Sequence, residues 1–354
     1  MTFPVDSSNV KFGPNVLVTG ASGFVGNELV QRLLELGLNV RAFDINPYDF
    51  RHPNLVSIQG DIRDADTVNR AVEGVQTIFH AAAVICLLGV YRKAVREFSF
   101  GINVGGTQNI LDAARRHGVK QLVHTSSHNV CMDRPLSGAD ESQPYAQTYM
   151  DLYTETKVIA EQAVLGSDNI GDLRTAAIRP GGIWGPSRRS VMINILVEQV
   201  TAGKFAVAVG SKTAKTDCSH VQNVADAEIL AAQKLATDPD VAGGQPYFIT
   251  DGEPFNQLLW AEPLVTALGH PFPKIWLPGR PFYPIARALE WAHKLGGPEP
   301  DLTKSAIWKL TEDYWVRIDK ARRELGYTPR VNRESGMKEV IPYARQYAAE
   351  LANR

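Results

Sequence analysis

Cysteine is scarce, with only Cys86, Cys131 and Cys218 in 354 residues. They form no CxxC pair and no cluster with histidine. That argues against a disulfide framework or zinc site, and for small buried thiols in a reducing cytoplasm. Net charge is equally slight: 37 basic residues against 38 acidic ones give −1. No whole-molecule field therefore draws nucleic acid or an acidic membrane. The basic pairs Arg115-Arg116, Arg188-Arg189 and Arg322-Arg323 read as solvated helix faces or loops. Long apolar runs are also missing. The longest uncharged one, Ala81 to Val90, is too short to span a bilayer. Met1 to Phe12 lacks the apolar run of a signal peptide. What remains is the composition of a globular protein, 44% apolar and 21% charged, long enough for one large domain or two ordinary ones.

The first half alternates strand and helix signals. Strands are expected at Val16 to Thr19, Asn39 to Phe43, Leu55 to Ile58, Thr77 to His80, Gln121 to His124 and Arg174 to Ile178. Helices are expected at Phe24 to Leu36, Thr67 to Val72, Asn103 to His117 and Tyr153 to Leu165. This alternation predicts an α/β, Rossmann-type doubly wound parallel sheet with helices on both faces. After Pro180 loops lengthen and aromatics accumulate, yet Val221 to Leu235 still reads as a helix and Tyr247 to Thr250 as a strand. The expected division is a dinucleotide-binding domain over 14–183 with a return near 218–251, and a smaller substrate lobe from 184–217 and 252–350.

Glycines at 20, 23 and 26 lie between the first strand and the first helix, in Thr19-Gly-Ala-Ser-Gly-Phe-Val-Gly26. Glycines there permit a tight turn, close approach of a pyrophosphate and helix–strand packing. The helix start then offers unpaired N–H groups to phosphate. Phe24 and Val25 belong to the same candidate site. Asp44, ending the second strand, suits both ribose hydroxyls of an adenosine and opposes a 2′-phosphate, so NAD is expected over NADP. Arg41 and Arg51 are the nearest basic residues that could reverse that preference. Asp61 and Ile62 suit an adenine pocket, although Asp61 reads nearly as well as a helix cap. Ala81, Ala82 and Ala83 offer small side chains where a flat cofactor passes close to backbone, as would an ordinary packed alanine run.

Tyr153 and Lys157 stand one helical turn apart on one face. A free phenol titrates near pH ~10. A lysine charge at ~4 Å contributes about 4 kcal/mol at intermediate dielectric, enough to bring it toward neutrality. The pair can exchange a proton with an alcohol or ketone. Alone the spacing is common. Ser127, just past the strand Gln121 to His124 at the carboxyl edge of the sheet, adds a hydroxyl to hold a substrate oxygen against Tyr153.

Together these stretches resemble the extended short-chain dehydrogenase/reductase family, marked by TGxxGxxG and the serine–tyrosine–lysine set. Asn103-Val-Gly-Gly-Thr107 and Arg179-Pro-Gly-Gly-Ile-Trp-Gly-Pro186 belong to the same match. The closest subgroup is the 3β-hydroxysteroid dehydrogenases with the related C4-decarboxylating sterol dehydrogenases. Asp140 to Tyr145, Ser219 to Ala225 and Lys320 to Pro329 carry that likeness. The resemblance implies that Ser127, Tyr153 and Lys157 are catalytic and that Lys157 also reaches the nicotinamide ribose. It implies that Asn103 helps hold the lysine through backbone or water, and that Pro180 to Ile183 flank the nicotinamide. The apolar segment between Ala83 and Asn103 departs from the pattern, as does His128-Asn129.

In the second half, Leu277 to Trp291 mixes large apolar residues with arginines, and Phe282, Ile285, Ala286 and Leu289 fall at helical spacing. Core packing or a lid over an apolar substrate is favoured over an interfacial helix with weak membrane association, because prolines interrupt a short stripe. Facing Val84 to Tyr91, this segment would make an apolar slot for a steroid-like secondary alcohol or ketone. A cytoplasmic homodimer with a small apolar substrate, and no nucleic acid or metal, is the expectation. A nucleotide-sugar epimerase or dehydratase, and a non-catalytic dinucleotide sensor, are the competing readings.

Overall fold

The computed structural model describes residues 5–86, 92–298, 300 and 302–353. In chain order the elements are β1 (Asn15–Thr19), α1 (Phe24–Glu35), β2 (Asn39–Asp44), β3 (Leu55–Gln59), α2 (Ala65–Val72), β4 (Thr77–His80) and α3 (Lys93–Phe100). A π turn, Gly101–Gly106, leads into α4 (Thr107–Arg116), β5 (Gln121–Thr125), β6 (Leu136–Ala139), α5 (Leu152–Leu165), β7 (Arg174–Pro180) and β8 (Gly182–Trp184). Then come α6 (Val191–Thr201), β9 (Ala208–Val209), β10 (Cys218–His220), α7 (Val221–Thr237), α8 (Pro239–Ala242), β11 (Gln245–Ile249) and α9 (Gln257–Ala267). The chain finishes with β12 (Trp276–Leu277), α10 (Tyr283–Lys294), α11 (Lys304–Thr311), β13 (Tyr314–Val316), α12 (Asp319–Leu325) and α13 (Arg333–Ala352).

Seven parallel strands form the main sheet in the order β11-β7-β5-β4-β1-β2-β3. This is the expected doubly wound fold, and its order reverses between β1 and β4, where a crevice opens at the carboxyl ends. The pleat sorts side chains between two layers. Val16, Val18, Val123 and Ile178 pack with α1 and α7. Leu17, Ile78 and Leu122 face the other way, onto α2 and α4. Period-2 alternation in the strands and period-3.6 stripes in the helices therefore define both cores.

One helix begins earlier than its sequence suggests. The segment expected to start at Asn103 is preceded by α3, and the π turn joins the two. The extra residue of a π turn breaks the 3.6 periodicity that would have revealed one continuous rod. The second lobe has its own core, where Trp184 and Trp260 meet edge to face at 5.1 Å amid Ile193, Leu264, Met337 and Val340. Its polar anchor is the hydrogen bond of 2.7 Å from the Trp184 indole to Asp251. Cys131 and Cys218 are buried, Cys86 is half-buried, and all three are free thiols. Among the described residues, no helix is long and apolar enough to cross a membrane.

Candidate active site

The glycine turn sits at the strand-order reversal. Gly20 holds φ at +69°, and a Cβ there would lie 2.8 Å from the backbone of Ala82. A Cβ on Gly26 would strike the carbonyl of Gly20 at 2.1 Å. The first glycine thus allows the left-handed turn against β4's exit, and the third lets α1 close on it. No side chain caps α1 at Gly23, so its leading N–H groups face the crevice. Phe24 is half-buried and Val25 buried at this entrance. Ala81 and Ala82 are half-buried and Ala83 exposed. The Asp44 carboxylate accepts from the N–H groups of Ser22 (3.0 Å) and Asn46 (2.9 Å), which holds it over the turn. These residues fit a dinucleotide: an open anion-binding helix start, a floor without side chains, and an acid where a ribose would lie.

Two neighbouring assignments sharpen. Arg41 donates to the carbonyls of Ala71 and Glu73, so it is committed to the end of α2 and away from Asp44. Asp61 is not the helix cap; that role belongs to Asp64, which accepts from Asp66 and Thr67 N–H. Asp61 instead grips Arg63 through both oxygens, while Ile62 packs against Gly106.

The residues expected to handle a proton come from β5, α5 and the loop between them. Asp151 caps α5 by accepting from Thr154 N–H at 2.7 Å. The Tyr153 N–H donates to Cys86 C=O at 3.2 Å, tying the helix start to the segment after β4. Ser127 caps the short turn that follows it, accepting from Asn129 N–H at 3.2 Å. The Ser127 hydroxyl reaches the Tyr153 phenol and acts to lower its pKa, but burial dominates and pushes the phenol up to about 12. Pro180 closes β7 in a buried position, and Ile183 is half-buried in β8.

Lys157 behaves differently from expectation. Its Nζ donates to Thr125 C=O at 2.5 Å and meets His124 Nε2 at 3.1 Å. Burial pulls this lysine down to about 8, against the charges of Glu161 and Glu228. The expected lowering of the tyrosine by the lysine is therefore not present in this arrangement, because the ammonium is drawn onto the end of β5. Asn103, expected to reach the lysine through backbone or water, has its side chain engaged elsewhere. Its Oδ1 accepts from Val84 N–H at 2.8 Å, and its Nδ2 donates to Val84 C=O and Thr156 Oγ1. Asn103 pins the segment leaving β4 to the catalytic helix, an assignment made possible by the π turn that carries it.

Sequence reasoning missed the polar layer beneath this pair. His80 bridges Thr19 and Thr107 hydroxyls at 2.8 and 2.9 Å. Burial holds it down at about 3, and the same cause keeps His124, whose ring lies tilted against it at 5.0 Å, well below its usual range. Glu228 reaches Thr125 from α7. The available signal was a lone acid in the otherwise apolar run Ala227-Glu-Ile-Leu-Ala-Ala232. His128, unassigned from sequence, is buried edge-on against Tyr314.

The apolar stripe of the second lobe is not core. Ala286 is its one buried member, whereas Ile285 (51%), Leu289 (41%) and Trp291 (63%) are exposed. Of the slot's other expected wall, Val84 to Cys86 are described and residues 87–91 lie outside the described residues.

A nucleotide-binding crevice with serine, tyrosine and lysine at its edge defines an extended short-chain dehydrogenase/reductase, an oxidoreductase acting on CH–OH groups. Known proteins narrow this further. The 3-beta hydroxysteroid dehydrogenase/isomerase family matches residues 17–279. A 3 beta-hydroxysteroid dehydrogenase/Delta 5-->4-isomerase of Mycobacterium tuberculosis is 43% identical over 333 residues, covering 93% of this chain and 90% of its own. Short-chain dehydrogenase/reductase family 42E member 1 of Bos taurus is 37% identical, covering 88% and 83%. The crystal structure of gox2253 superposes with a TM-score of 0.74 at 27% identity, covering 95% of this chain and 99% of that one. The chain belongs to the 3-beta hydroxysteroid dehydrogenase/isomerase family.

Proposed function

We propose that this protein is a nicotinamide-dependent dehydrogenase, using NAD, that interconverts a secondary alcohol and a ketone on a 3β-hydroxysteroid or similar bulky apolar substrate. The carrying observation is the likeness to the mycobacterial enzyme over nearly the whole of both chains. The meeting of Ser127 with Tyr153 at the open end of β5 supports the chemistry.

The dinucleotide supplies the hydride acceptor or donor. Ser127 holds the substrate oxygen and Tyr153 moves its proton. With a phenol pushed up to about 12, Tyr153 at rest is a proton donor, suited to ketone reduction. Alcohol oxidation requires positive charge near the phenol, and Lys157 is the cation one helical turn away on the same helix. NAD preference rests on Asp44 and on the commitment of Arg41 to α2. The exposed face of α10, with Arg287 on the same helix, is read as a weak interfacial contact.

The test is turnover of 3β-hydroxysteroids, 3-ketosteroids and nucleotide sugars with NAD and with NADP, followed by absorbance of reduced cofactor. Steroid turnover with higher efficiency for NAD is expected. Response to nucleotide sugars alone would replace this reading with an epimerase or dehydratase.

A further inference from the structure

The strand end that receives Lys157 is gripped from the opposite layer as well. Along β5 the pleat sends Val123 toward α1 and α7 and Leu122 toward α2 and α4. His124 follows Leu122, to the side of Lys157. Thr125 follows Val123, to the side of α7. There its hydroxyl donates to Glu228 Oε1 at 2.5 Å, while its carbonyl accepts from Lys157 at 2.5 Å. One residue of the strand thus separates a carboxyl group in one layer from an ammonium in the other.

Glu228 is fully buried, and its second oxygen has no hydrogen-bond partner. It sits in a helix whose neighbouring positions are alanine, isoleucine and leucine. A buried carboxyl with half its capacity unused is costly to keep for packing alone. Lys157 is faced by Glu161 on its own helix, by His124 from β5, by His80 from β4 and by Glu228 from α7. Both histidines are held neutral, so the two glutamates are the charges that can balance the ammonium. Glu161 is already paired with Arg179 at 2.6 Å.

We propose that Glu228 is a positioning residue for Lys157: it fixes Thr125, whose carbonyl holds the ammonium, and supplies the counter-charge that keeps Lys157 protonated. The inference rests on the catalytic role given to Lys157 above. Burial pushes Glu228 up to about 8 and pulls Lys157 down to about 8, while each charge favours the other. The protonation of the two groups is therefore coupled.

The experiment measures NADH binding by fluorescence across pH, beside kcat/KM for a 3β-hydroxysteroid, in the intact enzyme. Wild type shows an alkaline limb on which binding weakens, and Lys157→Met abolishes that limb. Glu228→Gln moves it to lower pH by roughly one unit or more, with the melting temperature retained. Glu228→Asp, which keeps the charge, moves it by less. The turnover profile shifts with it. A limb unmoved in folded Glu228→Gln, or surviving in Lys157→Met, overturns the proposal. If glutamine at 228 prevents folding, Thr125→Val carries the test, since it cuts the link and leaves the acid; the same downward shift is expected, and none overturns it. If no steroid is turned over, the functional reading falls while the binding limb still decides the role of Glu228.

Discussion

The end of β5 and the outer face of α10 reverse the usual distribution of side chains in opposite senses. Around β5 the buried positions are polar: His80, His124, Thr125, Lys157 and Glu228 are all at or near zero exposure. Along α10 the apolar residues Ile285, Leu289 and Trp291 are exposed, with Arg287 and Lys294 beside them. Buried polar groups are costly unless partnered, and the first region is a network whose members hold one another, Glu228 Oε2 and His124 Nδ1 being left over. Exposed apolar groups carry no such demand, and their grouping on one helix face is the kind of surface a contact would cover. Burying the first set costs stability, and exposing the second costs solubility.

Four measurements would break or sharpen this contrast. The largest effect is expected from Tyr153→Phe, which keeps the ring and removes the proton. Turnover should fall by about 10³-fold or more, with NADH affinity nearly unchanged; a wild-type rate on the true substrate would remove Tyr153 from the chemistry. Next comes the ion pair of Arg179 with Glu161, at 3% and 0% side-chain exposure. Arg179→Met strands a buried carboxylate on the catalytic helix and should cost about 3–5 kcal/mol in denaturant unfolding. A loss under about 1 kcal/mol would mean that this pair behaves like a surface contact.

The third is the dependence of stability on pH. His80, held down at about 3, and His124, held well below its usual range, are neutral when folded and titrate near ~6.5 when unfolded. Their contribution is present above ~6.5 and is lost progressively as pH falls, by at most about 1.4 kcal/mol per pH unit for each. The melting temperature should therefore fall on the acid side, and His80→Gln should flatten that slope. The smallest effect is expected from Trp291→Ser, within about 0.5 kcal/mol of wild-type stability. The same change should reduce sedimentation with anionic vesicles; unchanged association would leave the face of α10 without that role.

How much of this could be read beforehand depended on range. The glycine turn, Asp44, and the Tyr153–Lys157 spacing are local patterns, and the central strands read as short continuous buried runs because both their faces are covered. Ser127 needed only the inference that β5 ends at the carboxyl edge. What escaped was set by distance along the chain. Thr125 and Glu228 lie 103 residues apart, and only the stacking of α7 on the sheet brings them together. The direction of Lys157 escaped for a related reason. Helical spacing says which face it occupies, while the length of its side chain allows it to choose the carbonyl of Thr125. Core packing and a lid could not be told apart for α10 beforehand, because apolar periodicity marks a face without saying whether anything covers it.

The π turn at Gly101–Gly106 also constrains how this chain can change in length. It adds one residue to the helical path between α3 and α4, and each residue turns a helix by about 100°. Deleting one position there would restore a regular rod and rotate α3 by that angle against α5. Arg96 would then swing away from Glu155, where it now makes two hydrogen bonds of 2.7 Å. Asn103 would lose its registry with Val84 and Thr156. Single-residue insertions and deletions, ordinarily absorbed by loops, are thus excluded from this stretch of helix, and related chains should differ in length on either side of it.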